Sequence, residues 1–183
     1  MARASIFNAI LNPNEPQEAP QVETRPAPAF VNNYENRFRL IGLRLDSQNM
    51  RRPIIIEVPG GMLVRAEYDN MADELFEFPN DQFEAQFEEA FRQRELVEED
   101  YLRIKSDLIP TSYSDVYRAI GEWLDERLAR SVVTSEGRSG IYVSGKMLEE
   151  TTAQSRYAPF DELFTPESID LLLTDAQERR RNG

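Results

Sequence analysis

Between Ser114 and Ser131 apolar residues recur at intervals of three and four, at Val116, Ile120, Trp123, Leu124 and Leu128, with charged residues filling the gaps. That spacing gathers the apolar side chains on one stripe of an α-helix, and Ser114 stands where an N-cap belongs. Upstream, Phe38 to Leu45 is ambiguous, because Phe38, Leu40, Leu43 and Leu45 partly alternate with polar residues as a strand would. The chain resolves this ambiguity itself. Laid without a gap, Phe38 to Ala66 matches Tyr117 to Gly145 at a constant offset of 79 residues (117 less 38), with identity at Arg39/Arg118, Ile41/Ile120, Gly42/Gly121, Leu45/Leu124, Asp46/Asp125, Arg51/Arg130, Glu57/Glu136, Gly61/Gly140 and Val64/Val143. A gap-free match implies the same local structure, so residues 35–50 are predicted to be helical, with Pro53 preventing continuation.

A hairpin follows each helix. Ile54 to Val58 and Met62 to Glu67 flank Pro59-Gly60-Gly61, while Val132 to Glu136 and Ile141 to Gly145 flank Gly137-Arg138-Ser139-Gly140. Glycine-bearing turns between short apolar runs are the signature of β-hairpins. The expected fold class is therefore α+β, with internally duplicated α-β-β units whose strands form a four-stranded antiparallel sheet with the helices packed on one face. Gly42 and Gly121 fall mid-helix, where Gly costs about 1 kcal/mol relative to Ala. The same cost at matched positions predicts a close backbone approach, of helix on sheet or helix on helix. Neither glycine lies in the strand-to-helix turn that a phosphate loop requires.

A second echo sets Asp73-Glu74-Leu75-Phe76 against Asp161-Glu162-Leu163-Phe164. It reads as a polar connection leading into a further helix in each half. The first runs from Asp81 to about Leu96, with Phe83, Phe87, Ala90 and Phe91 on one stripe, and continues toward Leu108. The second opens at Thr165-Pro166-Glu167, an N-cap followed by proline. Residues 1–33 form a Pro-rich N-terminal arm with an apolar tip, residues 34–110 the first half and residues 111–183 the second. The halves should share one compact domain, 34–183, since each helix needs the sheet to bury its stripe.

Charge is unevenly spread over a chain whose net charge is −12. Residues 34–66 carry six Arg against three acids, whereas residues 67–110 carry fourteen acids against four bases. The overall balance repels phosphate backbones and anionic membranes at long range, so nucleic acid is not an expected partner. The longest apolar run, Ile54-Ile55-Ile56, is far too short to enter a membrane as a span. The first residues lack a signal peptide's unbroken apolar core and cleavage site, which points to a cytoplasmic protein.

The chain contains no Cys and no His. Thiolate nucleophiles, disulfides, histidine general bases and zinc hydrolysis are excluded with them, leaving carboxylate, Lys, Tyr and Arg chemistry or hard cations held by oxygen. Glu57 and Glu136 could sit on neighbouring strands and share a proton or Mg²⁺, or could pair with nearby arginines and fix helix to hairpin; the second reading takes precedence, and no cofactor is expected. The acidic run Glu95, Glu98, Glu99 and Asp100 lacks the alternating oxygens and central Gly of a calcium loop and reads as a solvated helix face. Two sets of residues are candidate partner-binding positions. Ile6, Phe7, Ile10 and Leu11 have helical spacing at the tip of the arm, and Arg37, Arg44 and Arg51 recur every seven residues along the first helix. The expected function is a noncatalytic protein–protein interaction or assembly/adaptor role, using the docking arm and the acidic surface, within a larger assembly or a homo-oligomer. Its alternatives are an acidic regulator that mimics or contacts nucleic acid, and a carboxylate-based divalent-metal enzyme.

Overall fold

The structure is a computed structural model and describes residues 29–90, 92, 112–150 and 154–182. Asn33 opens the first helix, α1 (Tyr34–Ser47), by accepting from the Asn36 N–H at 3.0 Å. The matching helix α3 (Tyr113–Glu126) is capped by Ser112, which accepts from the Asp115 N–H at 3.2 Å. Ser114, the expected cap, lies inside the first turn and is buried. Both serines precede the apolar stripe, and only the residue with extended backbone can reach back to a free N–H. Both helices end alike, with Asn49 and Leu128 in the left-handed region at φ 51 and 49, and with the Met50 and Ala129 N–H groups returning to Leu45 and Leu124.

The predicted four strands form, and two more join them. Strands β1 (Arg51–Val58), β2 (Gly61–Glu67), β3 (Asp73–Pro79), β4 (Arg130–Gly137), β5 (Gly140–Glu150) and β6 (Ser155–Phe164) make a six-stranded sheet in the order β3-β2-β1-β4-β5-β6, every neighbouring pair antiparallel. The segments read as polar connections are its edge strands. Their alternation of charged residues with Leu75, Phe76 and Phe78, or with Phe160, Leu163 and Phe164, is the period-two pattern of a strand with one wet face. The acidic echo lies in equivalent strands but out of step: Val64 faces Phe76 while Val143, its partner at offset 79, faces Glu162.

Helices α1 and α3 lie on one face of the sheet. Phe38, Ile41 and Leu45 of α1 and Ile120 and Leu124 of α3 are at most 3% exposed and share a core with Ile55, Met62, Val64, Val132, Ile141 and Val143 from the strands. A shorter helix, α2 (residues 83–90), adds Phe83 and Phe87 to that core, and α4 (Pro166–Asn182) packs on α3 beside β6. Thr165 caps α4 as expected, accepting from the Ser168 N–H at 3.3 Å. The mid-helix glycines mark helix on helix. A Cβ at Gly42 would sit 2.5 Å from Ser114 Cα, and one at Gly121 2.6 Å from the Tyr34 carbonyl oxygen.

Candidate functional site

The acidic residues matched at offset 79 are engaged in reciprocal locks, while the matched arginines are not: Arg51 pairs with Asp69 and Arg130 lies over Tyr157. Asp46, at the end of α1, accepts from the Tyr113 and Ser114 N–H groups at 2.9 and 3.0 Å, and Asp125, at the end of α3, accepts from the Tyr34 and Glu35 N–H groups at 2.9 Å each. Each helix thus caps the start of the other, an arrangement favoured by the positive end of the helix dipole. Burial pushes the Asp125 carboxyl above the ordinary carboxylate range, outweighing the opposing pull of its two N–H bonds. Tyr34 donates to Glu57 Oε2 at 2.6 Å, and Tyr113 donates to Glu136 Oε2 at the same distance. Burial first, and then the carboxylate it binds, pushes each phenol well above its usual range, so both act as donors and neither as a base.

Glu57 and Glu136 do not form a shared carboxylate site. Ile55 stands opposite Thr134 in the central strand pair, so Glu57 lies two residues to one side of that level and Glu136 two to the other. Four residues of strand separate them by about 13 Å along the sheet. Each is instead tied to the opposite half: Glu57 Oε2 accepts from the Val132 N–H at 3.0 Å, and Glu136 Oε2 from the Arg52 N–H at 2.9 Å. Among the described residues no group of three or more acids could hold a metal ion. Around the Glu57 lock lies a cleft of ≈ 610 Å³ whose lining includes Asn32, Tyr34, Arg37, Asn80, Asp125 and Arg130. Its charged groups are engaged: Arg37 lies 3.7 Å from Glu57 Oε1, Asp125 caps α1, and Arg130 stacks over Tyr157 at 4.1 Å.

The proposed arginine stripe is not brought together as one surface. Arg37 is half-buried over the Phe83 ring at 5.4 Å, Arg44 lies over Phe76 at 5.1 Å, and Arg51 pairs with Asp69 at 3.1 Å. Arg51 has left the helix, which ends at Ser47, and opens β1. Ile6, Phe7, Ile10 and Leu11, and the acidic run from Glu95 to Asp100, lie outside the described residues.

The unassigned chemistry lies on the other face of the sheet. Following the register from β3 to β6, one outward row reads Leu75, Arg65, Ile54, Ser135, Tyr142, Leu163, and the next reads Glu77, Leu63, Ile56, Val133, Ser144, Asp161. Among the described residues no helix covers these rows. Ile54, Ile56, Leu75, Val133 and Tyr142 are 36%, 39%, 65%, 37% and 43% exposed. Isolated exposed hydrophobics are ordinary, but a contiguous apolar band ringed by polar residues is the usual mark of a docking surface. The sequence alone does not mark it, because Ile54-Ile55-Ile56 is an unbroken apolar run, and the outward assignment of Ile54 and Ile56 appears only across the sheet. Tyr34 and Tyr113 were also missed; they become visible when the offset match is extended four residues toward the N-terminus.

No family model, curated protein or solved structure matches this chain. Its α+β fold and its own geometry are therefore what any functional reading must rest on.

Proposed function

We propose that the protein is a noncatalytic protein–protein interaction or assembly module that docks through the uncovered face of its sheet. The observation that carries this reading is the pair of outward rows, with apolar side chains at seven of twelve positions: Leu75, Ile54, Tyr142, Leu163, Leu63, Ile56 and Val133. Keeping such a band in water is costly, at roughly 25 cal/mol per Å² of apolar surface, and a partner removes that cost. The absence of His and Cys from the whole sequence, and the mutual engagement of the cleft's charged groups, favour this reading over catalysis. The N-terminal tip, Ile6, Phe7, Ile10 and Leu11, would be a second and separate docking element.

Site-specific photocrosslinking in the cell of origin tests the proposal. A photoreactive residue at Tyr142 or Leu75 should yield defined protein adducts, and one at Leu171, exposed on α4, should not. Absence of adducts from both face positions would refute the docking surface.

A further inference from the structure

We infer that the occupant of this face is a second copy of the chain, with the two sheets packed face to face about a twofold axis. The inference rests on the docking reading above and adds a particular partner to it. Charge is the first support. The two outward rows hold three charged residues, Arg65, Glu77 and Asp161, giving this surface −1 in a chain of −12. Arg65 is moreover ion-paired with Asp73 beside it. A basic partner attracted by the chain's overall charge would find only Glu77 and Asp161 to neutralise here, at opposite edges of the sheet. Two identical acidic chains, in contrast, would meet across this face with little repulsion.

Area and shape are the second support. Five side chains with 36–65% of their surface exposed present on the order of 400 Å² of mainly apolar area, within the range of patches that mark interfaces. A standard interface buries about 800 Å² on each partner, so this band would be the dry centre and the flanking polar residues the rim. Large side chains alternate with small ones: Ile54 and Tyr142 flank Ser135 in one row, and Val133 is followed by Ser144 in the next. Such alternation lets a surface interdigitate with its own rotated copy at the spacing of about 10 Å usual for stacked sheets.

The test is the mass of the full-length chain in solution, by sedimentation velocity across a concentration series. Wild type should form a dimer that tightens as salt is raised, because salt screens the repulsion between two acidic chains; a basic partner would show the opposite trend. Ile56→Lys and, at the more exposed edge position, Leu75→Lys should each weaken the dimer, Ile56→Lys by about tenfold or more as expected for a residue central to an interface. Leu171→Lys on α4 should leave it unchanged. Far-ultraviolet circular dichroism and melting at concentrations where wild type is monomeric should show at most a small difference, since among the described residues Ile56 and Leu75 are 39% and 65% exposed. A wild type that stays monomeric, or a dimer that survives both face substitutions, overturns self-pairing. If Phe7→Asp and Ile10→Asp abolish the dimer as completely as Ile56→Lys, the arm occupies the face and self-pairing by sheets is likewise overturned. Adducts at Tyr142 with a different protein would then still sustain the docking reading, whereas their absence would remove it.

Discussion

Replacing Gly121 by Ala should destabilise the fold even though Ala is the better helix former. The added Cβ would lie 2.6 Å from the Tyr34 carbonyl oxygen and 2.7 Å from both Glu35 Cα and Glu35 N, all backbone atoms that no rotamer change can move. Restoring ordinary contact requires the helices to part by about 1 Å. The same turn of α1 donates two N–H bonds to Asp125 at 2.9 Å, and that displacement would carry them to about 3.9 Å, beyond hydrogen-bonding distance. Overpacking costs about 1–3 kcal/mol and loss of a cap about 1 kcal/mol, while the Ala preference returns about 1 kcal/mol. The net loss should be about 2 kcal/mol, or a melting point lowered by roughly 4–8 °C for a chain of this size. Gly42→Ala, facing Ser114 Cα at 2.5 Å, should behave similarly, and Gly60→Ala, with nothing within 4 Å, should not change melting. Urea and thermal unfolding of the three variants decide the matter. A Gly121→Ala protein that melts at or above wild type would show that the helices do not meet at their glycines.

The other expectations concern single groups. Asp125 has its folded pKa raised by burial, so its contribution to stability is complete below the ordinary carboxylate range and is lost as pH rises through the raised folded value. The unfolding free energy of wild type minus that of Asp125→Asn should therefore fall as pH rises through and above the ordinary carboxylate range, and a pH-independent difference in urea titrations would refute the shift. Tyr34, Tyr113 and Tyr117 have folded pKa values raised chiefly by burial, so their contribution is intact below the ordinary phenol range and lost above it. Ultraviolet difference absorbance should show these three ionising only together with alkaline unfolding; their titration in the folded protein would contradict the buried donors. Leu128 holds φ 49 while 58% exposed, a conformation that Asn tolerates and Leu resists, so Leu128→Asn should raise stability by about 1 kcal/mol in urea unfolding. The Tyr117 and Thr134 hydroxyls are fully buried and have only each other as partner, in poor hydrogen-bond geometry. Tyr117→Phe combined with Thr134→Ile, which copies Phe38 and Ile55 from the other half, should leave thermal stability equal or higher, since removing both polar groups avoids an unpaired one.

The helices and central hairpins were legible because the segments matched at offset 79 can be read against each other. Val116, Ile120 and Leu124 fix a helical period in α3, and the offset transfers it to the ambiguous Phe38 to Leu45. Gly42 and Gly121 announced a close approach because an unpaid helix penalty needs a compensating contact. The edge strands were hidden because their charged residues, Glu74, Glu77, Asp161 and Glu162, dominate a local reading, while the buried Phe76, Phe78 and Phe164 gain meaning only against β2 and β5. The roles of Asp46 and Asp125 were equally out of reach: their N–H partners lie 67 to 91 residues away, a separation that no local pattern encodes. The same limit applies to Glu57 and Glu136, whose identity suggested a pair and whose antiparallel register keeps them apart.

Positions related by the 79-residue offset are more often alike on the inner face of the sheet than on the outer, with Ile55 against Thr134 the exception inside and Ile54 against Val133 outside. Those turned toward the helices stay alike or interchangeable in size: Val64 with Val143, Met62 with Ile141, Glu57 with Glu136. Most of those turned outward differ in chemistry, with Ile56 against Ser135, Leu63 against Tyr142 and Arg65 against Ser144, while Ile54 and Val133 are both apolar. A surface needed only for solubility would be expected to carry charge in both halves, since the chain has acids to spare. The outward face instead loses charge toward the central strands and holds bulky apolar groups beside small polar ones. Internal packing explains the likeness of the inner positions, because both halves must close on the same pair of crossed helices. Among the described residues it places no demand on the outer ones, so the apolar character of Ile54, Ile56, Val133 and Tyr142 is what the docking proposal sets out to explain.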